Sequence, residues 1–291
     1  MEPLDILLLL ALSAIWGSSF MFMRYLSPLV GPIATADLRL LIAGVALMLF
    51  FLVIGFKAEW RKNWKHFFVI GLLNSGIPFL LYSFAALSLP ASIEVIFNSL
   101  SPMFGAVFSA LWLKERLSTR KVSGLFLGIC GVLLITSLEG LAASRSSAIA
   151  ALACLLAPAC YGLAGVYIAR RAKGVKPMAI AGGSQLLAGV ILAPLIAAAP
   201  PAMPVSLGVG GVIVAFALLC SAVAYLIYYR LIARVGPTKA LTVTFLMPAF
   251  GMLWGAVILG ERITWIMVAG VLVILAGTFL VAVSHRAAQK T

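Results

Sequence analysis

From residue 4 to residue 284 the sequence is a succession of apolar runs, each about twenty residues long and separated by short polar or Pro/Gly-bearing connections. A helix needs roughly 20 apolar residues to cross the hydrocarbon core of a bilayer, so runs of this length leave few other folds open. Composition excludes a soluble fold: 64% of the 291 residues are hydrophobic and only 10% charged, where soluble domains carry about a quarter charged residues. A β-barrel is excluded because its strands alternate apolar and polar positions, whereas these runs are continuous. The chain reads as an all-α polytopic membrane protein with the lipid bilayer as its solvent.

Ten spans are expected, at about 4–24, 32–54, 67–87, 93–113, 122–138, 148–168, 178–198, 207–232, 240–259 and 263–284. With the N-terminus inside, the cytoplasmic connections hold Lys57, Arg61, Lys62 and Lys65, then Lys114, Arg116, Arg120 and Lys121. They also hold Arg170, Arg171, Lys173 and Lys176, then Arg230, Arg234 and Lys239, with Arg286 and Lys290 on the tail. Seventeen of the 21 basic residues thus fall on one side, leaving Arg24, Arg39, Arg145 and Arg262 for the other. Cytoplasmic loops collect Lys and Arg, so both termini are expected in the cytoplasm and the protein in a bacterial inner membrane. The net charge of +13 is a topology signal rather than a nucleic-acid surface, which concentrates its basic residues on one folded face; no nucleic-acid partner is expected. Cys130, Cys154, Cys160 and Cys220 lie inside apolar runs without metal-ligand spacing and read as small apolar residues. No metal and no cofactor is expected. Residues 1–12 lack the basic segment of a cleavable signal, so the first span is expected to be retained.

The chain repeats itself. A shift of 146 residues places Pro102 on Pro248, Phe104 on Phe250, Gly105 on Gly251, Glu115 and Arg116 on Glu261 and Arg262, Gly124 on Gly270, and Gly131 on Gly277. The same shift matches Leu72, Leu73, Ser75, Leu80 and Tyr82 with Leu218, Leu219, Ser221, Leu226 and Tyr228. A shift of 145 places Trp16-Gly17 on Tyr161-Gly162. Two five-helix units are expected, 1–143 and 144–291, and because five is odd the second must enter the membrane from the opposite side. The turn at 114–121 (KERLSTRK) is densely basic, while its copy at 260–267 (GERITWIM) keeps only Arg262, as opposite orientations require. Inverted repeats of this kind build secondary transporters that hold substrate near the midplane.

The Trp-Gly of span one (AIWGSSF, 14–20), the early Arg of span two (DLRLLIAG, 37–44) and the paired Pro, Gly and Glu-Arg segments resemble the drug/metabolite transporter superfamily, and within it the ten-helix EamA-type exporters. The resemblance implies a central cavity lined chiefly by spans one, three, four, six, eight and nine, and efflux of small metabolites. Chain length and the aromatic content of those spans are similar to bacterial aromatic amino acid exporters. The small multidrug relatives carry an acid in the first span where this chain has Ser13 and Ala14, which speaks against export of polycationic drugs.

Two stripes follow from spacing alone. Ser75, Phe79 and Tyr82 fall at i, i+4 and i+7 of span three, and Ser221, Tyr225 and Tyr228 repeat the pattern in span eight. In span four Glu94, Asn98 and Ser101 share a face, matched in span nine by Ala240, Thr244 and Met247. Polar groups within a bilayer face protein or water, so these stripes, with Trp16 and Tyr161, are expected to line a substrate cavity. The plainer alternatives are hydrogen bonds between helices for Ser, Thr and Asn, and interface-belt positions for the tyrosines. Gly124 with Gly128 and Gly251 with Gly255 read as close-packing faces. Pro102 and Pro248 are candidate hinges or plain packing kinks.

Acids are scarce, and apart from Asp5 at the very start of span one only Glu94 and Asp37 fall within spans. Glu94 is either an acid stabilised by its helix N-terminus or a proton site, and Asp37 with Arg39 is expected to form a structural ion pair near the outer end of span two. With no buried charge pair foreseen, the cavity suits neutral or zwitterionic, partly apolar molecules, aromatic amino acids among them. The expected function is alternating-access export of such a small-molecule substrate by a monomer, since one chain carries both halves. A lipid-carrier or nucleotide-sugar translocator is the alternative, which calls for Lys or Arg in the cavity. An enzyme is not expected, because His66 and His285 sit at span ends and no catalytic cluster lies at depth.

Overall fold

A computed structural model describes residues 2–288 except 116, 142–143, 202–203 and 241, with the side chains of 237–238 and 283–288 also outside the description. Arg116, Lys290 and the side chain of Arg286, counted among the basic residues above, therefore lie outside it, as does position 143 at the expected boundary. All regular structure among the described residues is helical. The spans are α1 (Pro3–Val30), α2 (Pro32–Val53), α3 (Trp60–Ala85), α4 (Ala91–Leu113), α5 (Thr119–Leu138), α6 (Arg145–Arg171), α7 (Pro177–Ala198), α8 (Leu207–Val235), α9 (Val243–Leu259, after a turn at Pro237–Ala240) and α10 (Trp265–Ala288). Nine are long and apolar enough to cross a membrane, and the other, α9, has 17 residues, the lower limit for a span.

Several boundaries differ from the sequence reading. α1 continues six residues past Arg24 to Val30, and α3 begins at Trp60 rather than at 67, because amphipathic ends extend helices beyond the apolar core. α4 is interrupted between Asn98 and Ser101. Pro102, in the first turn after that interruption, sits where its missing N–H costs no bond, whereas Pro248 lies inside α9 without breaking it.

Contacts between span ends sort the two faces of the bundle. At one face Arg234 (α8) meets Asp5 at 2.5 Å and Glu2 at 2.7 Å (α1). Here too His66 (α3) lies 3.1 Å from the Tyr167 hydroxyl (α6), and Arg170 (α6) donates to the Trp112 carbonyl (α4). At the other face Glu261, following α9, accepts from the start of α4; Arg24 (α1) donates to the Ala86 carbonyl after α3; and Thr264 donates to Glu139. Successive spans run in opposite directions, and the segments 114–121 and 260–267 lie at opposite faces. The first face, which carries the basic connections, is called the basic face below.

Helices of the two sequence halves pack on one another through glycines. A Cβ on Gly44 would lie 2.5 Å from the Leu186 Cα, and one on Gly189 would lie 2.8 Å from the Leu41 side chain. A shift of 145 exchanges these two contacts, which join α2 to α7. A Cβ on Gly17 (α1) would meet the Gly251 nitrogen (α9) at 2.9 Å, and one on Gly162 (α6) the Gly105 nitrogen (α4) at 2.8 Å. Gly124 faces the Gly277 carbonyl and Gly131 the Gly270 carbonyl, closing α5 on α10. In lipid, where apolar surfaces gain little from leaving solvent, such backbone approach is what holds helices together. The second small-residue pair splits its work: Gly251 takes the Val95 side chain and Gly255 the Glu261 carboxylate.

Polar contacts brace the α1–α9 seam, the shorter of them from an indole. Trp254 Nε1 donates to the Ala14 carbonyl at 2.9 Å. Trp254→Phe keeps the ring and removes the donor, and is expected to lower thermal stability in detergent by about 1 kcal/mol, read as a small fall in melting temperature with transport retained.

Candidate functional site

Two spans carry a π-helical segment, α3 at Leu72–Gly76 and α8 at Leu218–Val223. The segments start at positions related by the 146-residue shift, and each contains a buried serine, Ser75 and Ser221. A π turn widens the backbone and is frequent at functional sites. The matched Leu-Leu and Ser were legible in the sequence, although the backbone change they accompany was not.

The expected lining residues divide into two groups. Toward the basic face, Trp16 packs on Tyr225 (5.9 Å between ring centroids) and Tyr228 (5.2 Å), and all three are half-buried. Toward the other face, Tyr82 packs edge-on against Phe20 at 5.1 Å and donates to Asn98 Oδ1 at 3.1 Å. Tyr82 is 1% exposed and Phe79 7%, so their repeat counterparts Tyr228 and Tyr225 are the more open pair. Tyr161 and Thr244 are half-buried. Ser101 spends its hydroxyl on the Asn98 carbonyl at 2.6 Å, closing the break in α4, while the buried Ser75 hydroxyl has no hydrogen-bond partner among the described residues.

The ion pair expected between Asp37 and Arg39 does not form. Residues two apart on a helix face different sides. The Asp37 carboxylate has no hydrogen-bond partner among the described residues, and Arg39 turns into the bundle instead, 3% exposed. It is therefore no outer-loop residue: seven residues after Pro32, it stands about 10 Å along α2. Its Nε donates to Ser221 Oγ at 2.9 Å, and its Nη2 reaches the Cys220 carbonyl at 3.3 Å and Ser19 Oγ at 3.4 Å. The guanidinium carbon lies 3.8 Å from the Phe79 ring centroid and 4.6 Å from that of Phe216. The ion pair expected of Arg39 and its assignment to the outer side are corrected accordingly. An isolated Arg within an apolar run was the available signal.

At the face opposite the basic one, a carboxylate joins the end of α9 to the start of α4. Glu261 accepts from the backbone N–H of Ala91 (2.7 Å) and Ser92 (3.0 Å) and from the Ser92 hydroxyl (2.6 Å), capping the N-terminus of α4 with an acid from the α9–α10 connection. Glu94, in the first turn of α4, does not do this. It is fully buried and neither carboxyl oxygen has a hydrogen-bond partner among the described residues. The repeat counterpart of Glu261 is Glu115, which pairs with Lys121 at 3.1 Å at the basic face.

The model of the EamA-like transporter family matches residues 4–137 and again residues 148–283. The chain belongs to the EamA-like transporter family. Relatives similar over nearly the whole chain include an uncharacterized transporter of Archaeoglobus fulgidus, 24% identical over 91% of this chain and 94% of that one. Another is the uncharacterized inner membrane transporter YedA of Escherichia coli K12, 29% identical over 89% of this chain and 85% of its own. A solved crystal structure superposes with a TM-score of 0.68, covering 98% of this chain and 99% of the other at 18% identity, and so shares the fold. The protein is thus a multi-pass membrane transporter, and its EamA halves meet where the π segments, Arg39 and the aromatic cluster lie. Two surface depressions lie elsewhere. One of about 480 Å³ at the basic face is lined by Glu2, Asp5, Arg234, Val235 and Lys239, and one of about 430 Å³ at the opposite face lies beside Arg24 and Glu261.

Proposed function

We propose that this transporter exports small amphipathic metabolites, amino acids with large apolar side chains foremost, by alternating access between the units 1–143 and 144–291. The observation that supports the reading is the unequal burial of two related pairs: Tyr82 and Phe79 are buried, while Tyr228 and Tyr225 are half-buried. Exchange of those states between the two inverted units moves the opening from the basic face to the other. In this reading the basic face, with its excess of Lys and Arg and both termini, is cytoplasmic, and substrate loads from it. Trp16, Tyr225 and Tyr228 offer apolar rings with polar tips to such a ligand. One chain carries both units and works as a monomer. Glu94, without a hydrogen-bond partner toward the face opposite the basic one, is the group for a counter-transported proton once that face opens to water.

The test is efflux of labelled phenylalanine from loaded proteoliposomes. Wild-type protein is expected to accelerate release, and Trp16→Ala to cut the rate at least about tenfold, the cost of one lost aromatic contact of about 1.4 kcal/mol. Absence of flux for every neutral amino acid would remove the substrate claim. Proton exchange is tested by an imposed pH gradient: it should speed wild-type efflux and leave Glu94→Gln unmoved. A phosphorylated lipid or nucleotide substrate gains one observation, the interior Arg39, but a single guanidinium falls short of the charge on a pyrophosphate.

A further inference from the structure

Among the described residues two cations are buried, and they differ: Lys121 has Glu115 at 3.1 Å, whereas Arg39, between α2 and α8 of the two halves, has no anion. Among the described residues no carboxylate lies within ion-pair distance of it. Its hydrogen bonds go to two hydroxyls and a carbonyl, all uncharged. Five N–H donors fan out from a guanidinium, and the three recorded bonds use Nε and Nη2 only. A cation held at this depth is costly unless a counter-charge arrives, and the aromatic faces of Phe79 and Phe216 offset only part of that cost.

The repeat sharpens the point. The shift of 145 that exchanges Gly44 with Gly189 and Leu41 with Leu186 places Arg39 on Ser184, so the charge occurs once. A residue needed only to brace a π segment would be called for twice, because both α3 and α8 carry one. Across the seam Arg39 grips Ser221, inside the α8 segment, and four residues further along that helix begins the half-buried aromatic cluster of Tyr225, Tyr228 and Trp16. A cation at the head of an aromatic hollow fits a ligand with an anionic end and an apolar body.

We propose that Arg39 is the substrate-binding residue that receives a carboxylate, so that the transported compounds are monocarboxylates with an apolar or aromatic body. This rests on the export reading given above and deepens it, since it makes the carboxylate, and not the amine, the obligatory group of an amino acid substrate. A planar carboxylate takes one bond from the unengaged Nη1 and a second, parallel one from Nη2 once its 3.4 Å contact to Ser19 is released.

Matched ligands test this on the unaltered protein. Binding is measured by thermal shift on the purified chain in detergent, with phenylalanine, 3-phenylpropionate, phenylalaninamide and 2-phenylethylamine as probes. Phenylalanine and 3-phenylpropionate are expected to stabilise the protein at concentrations at least about tenfold lower than the two probes without a carboxylate, a gap of about 1.4 kcal/mol. Arg39→Gln should erase that gap, and Arg39→Lys should restore part of it. Equal binding of phenylalanine and phenylalaninamide by wild type overturns the proposal, as does an undiminished gap in Arg39→Gln or no response to either carboxylate. Should Arg39→Gln fail to fold, the wild-type comparison decides alone. If 3-phenylpropionate binds through Arg39 while no amino acid is transported, the substrate reading fails and the carboxylate site stands. If phenylalanine is exported and phenylalaninamide competes equally, the reverse holds.

Discussion

Gly44→Leu will leave little folded protein to purify. The position faces backbone: a Cβ there would lie 2.5 Å from the Leu186 Cα and 2.6 Å from its nitrogen, so no rotamer change can relieve the clash. α2 must then move off α7, and with it Arg39 and its bond to Ser221. Overpacking costs about 3 kcal/mol at its upper end, a large share of the 5–15 kcal/mol that holds a typical fold. Size-exclusion of the detergent extract should show aggregate in place of a monodisperse peak. Gly105→Ala is the control, since a Cβ at Gly105 has nothing within 4 Å; it should elute and melt as wild type. A monodisperse Gly44→Leu protein with normal melting would mean that α2 and α7 do not approach as described.

Glu261→Ala carries the second large effect, on transport rather than assembly. Its carboxylate takes three donors at the start of α4, and charge-assisted bonds of this type are worth about 1.5–3 kcal/mol each when lost. α4 and α9 are joined by this cap at the face opposite the basic one. Without it that end no longer closes, and efflux from proteoliposomes is expected to fall at least about tenfold while the protein remains folded. Glu261→Gln keeps an acceptor and should retain an intermediate rate. Normal efflux in Glu261→Ala would show that the cap is not part of closure.

The architecture was largely legible because lipid imposes strong rules on sequence. Runs of about twenty apolar residues specify spans, and the contrast between KERLSTRK and GERITWIM announced the opposite faces on which the structure places them. Even the paired turns recur in detail: Lys114 and Gly260 both end their helices at positive φ, and Ser118 and Thr264 each accept from the backbone N–H three residues on. The site was less legible. Spacing placed Tyr82 with Asn98, and Trp16 with Tyr225 and Tyr228, only as faces of separate helices. Arg39 was misassigned because two residues of sequence distance suggested a bond to Asp37 that helix geometry forbids. The role of Glu261 was hidden because its partners, Ala91 and Ser92, are 170 and 169 residues away in sequence. Which of two symmetry-related ends carries the cross-span carboxylate cap depends on packing, and a repeat, being the same at both ends, contains no record of it.

Alternating access is tested most directly by distances at both ends of the bundle. Leu87 and Leu259 line one depression at the face opposite the basic one, and the 146-residue shift maps them onto Ala233 and Leu113 at the basic face. Spin labels at each pair, measured in nanodiscs with and without phenylalanine, should report two populations at each end. The account predicts that ligand lengthens the 87–259 distance as it shortens the 113–233 distance. Two distances that stay fixed, or that lengthen together, would contradict it.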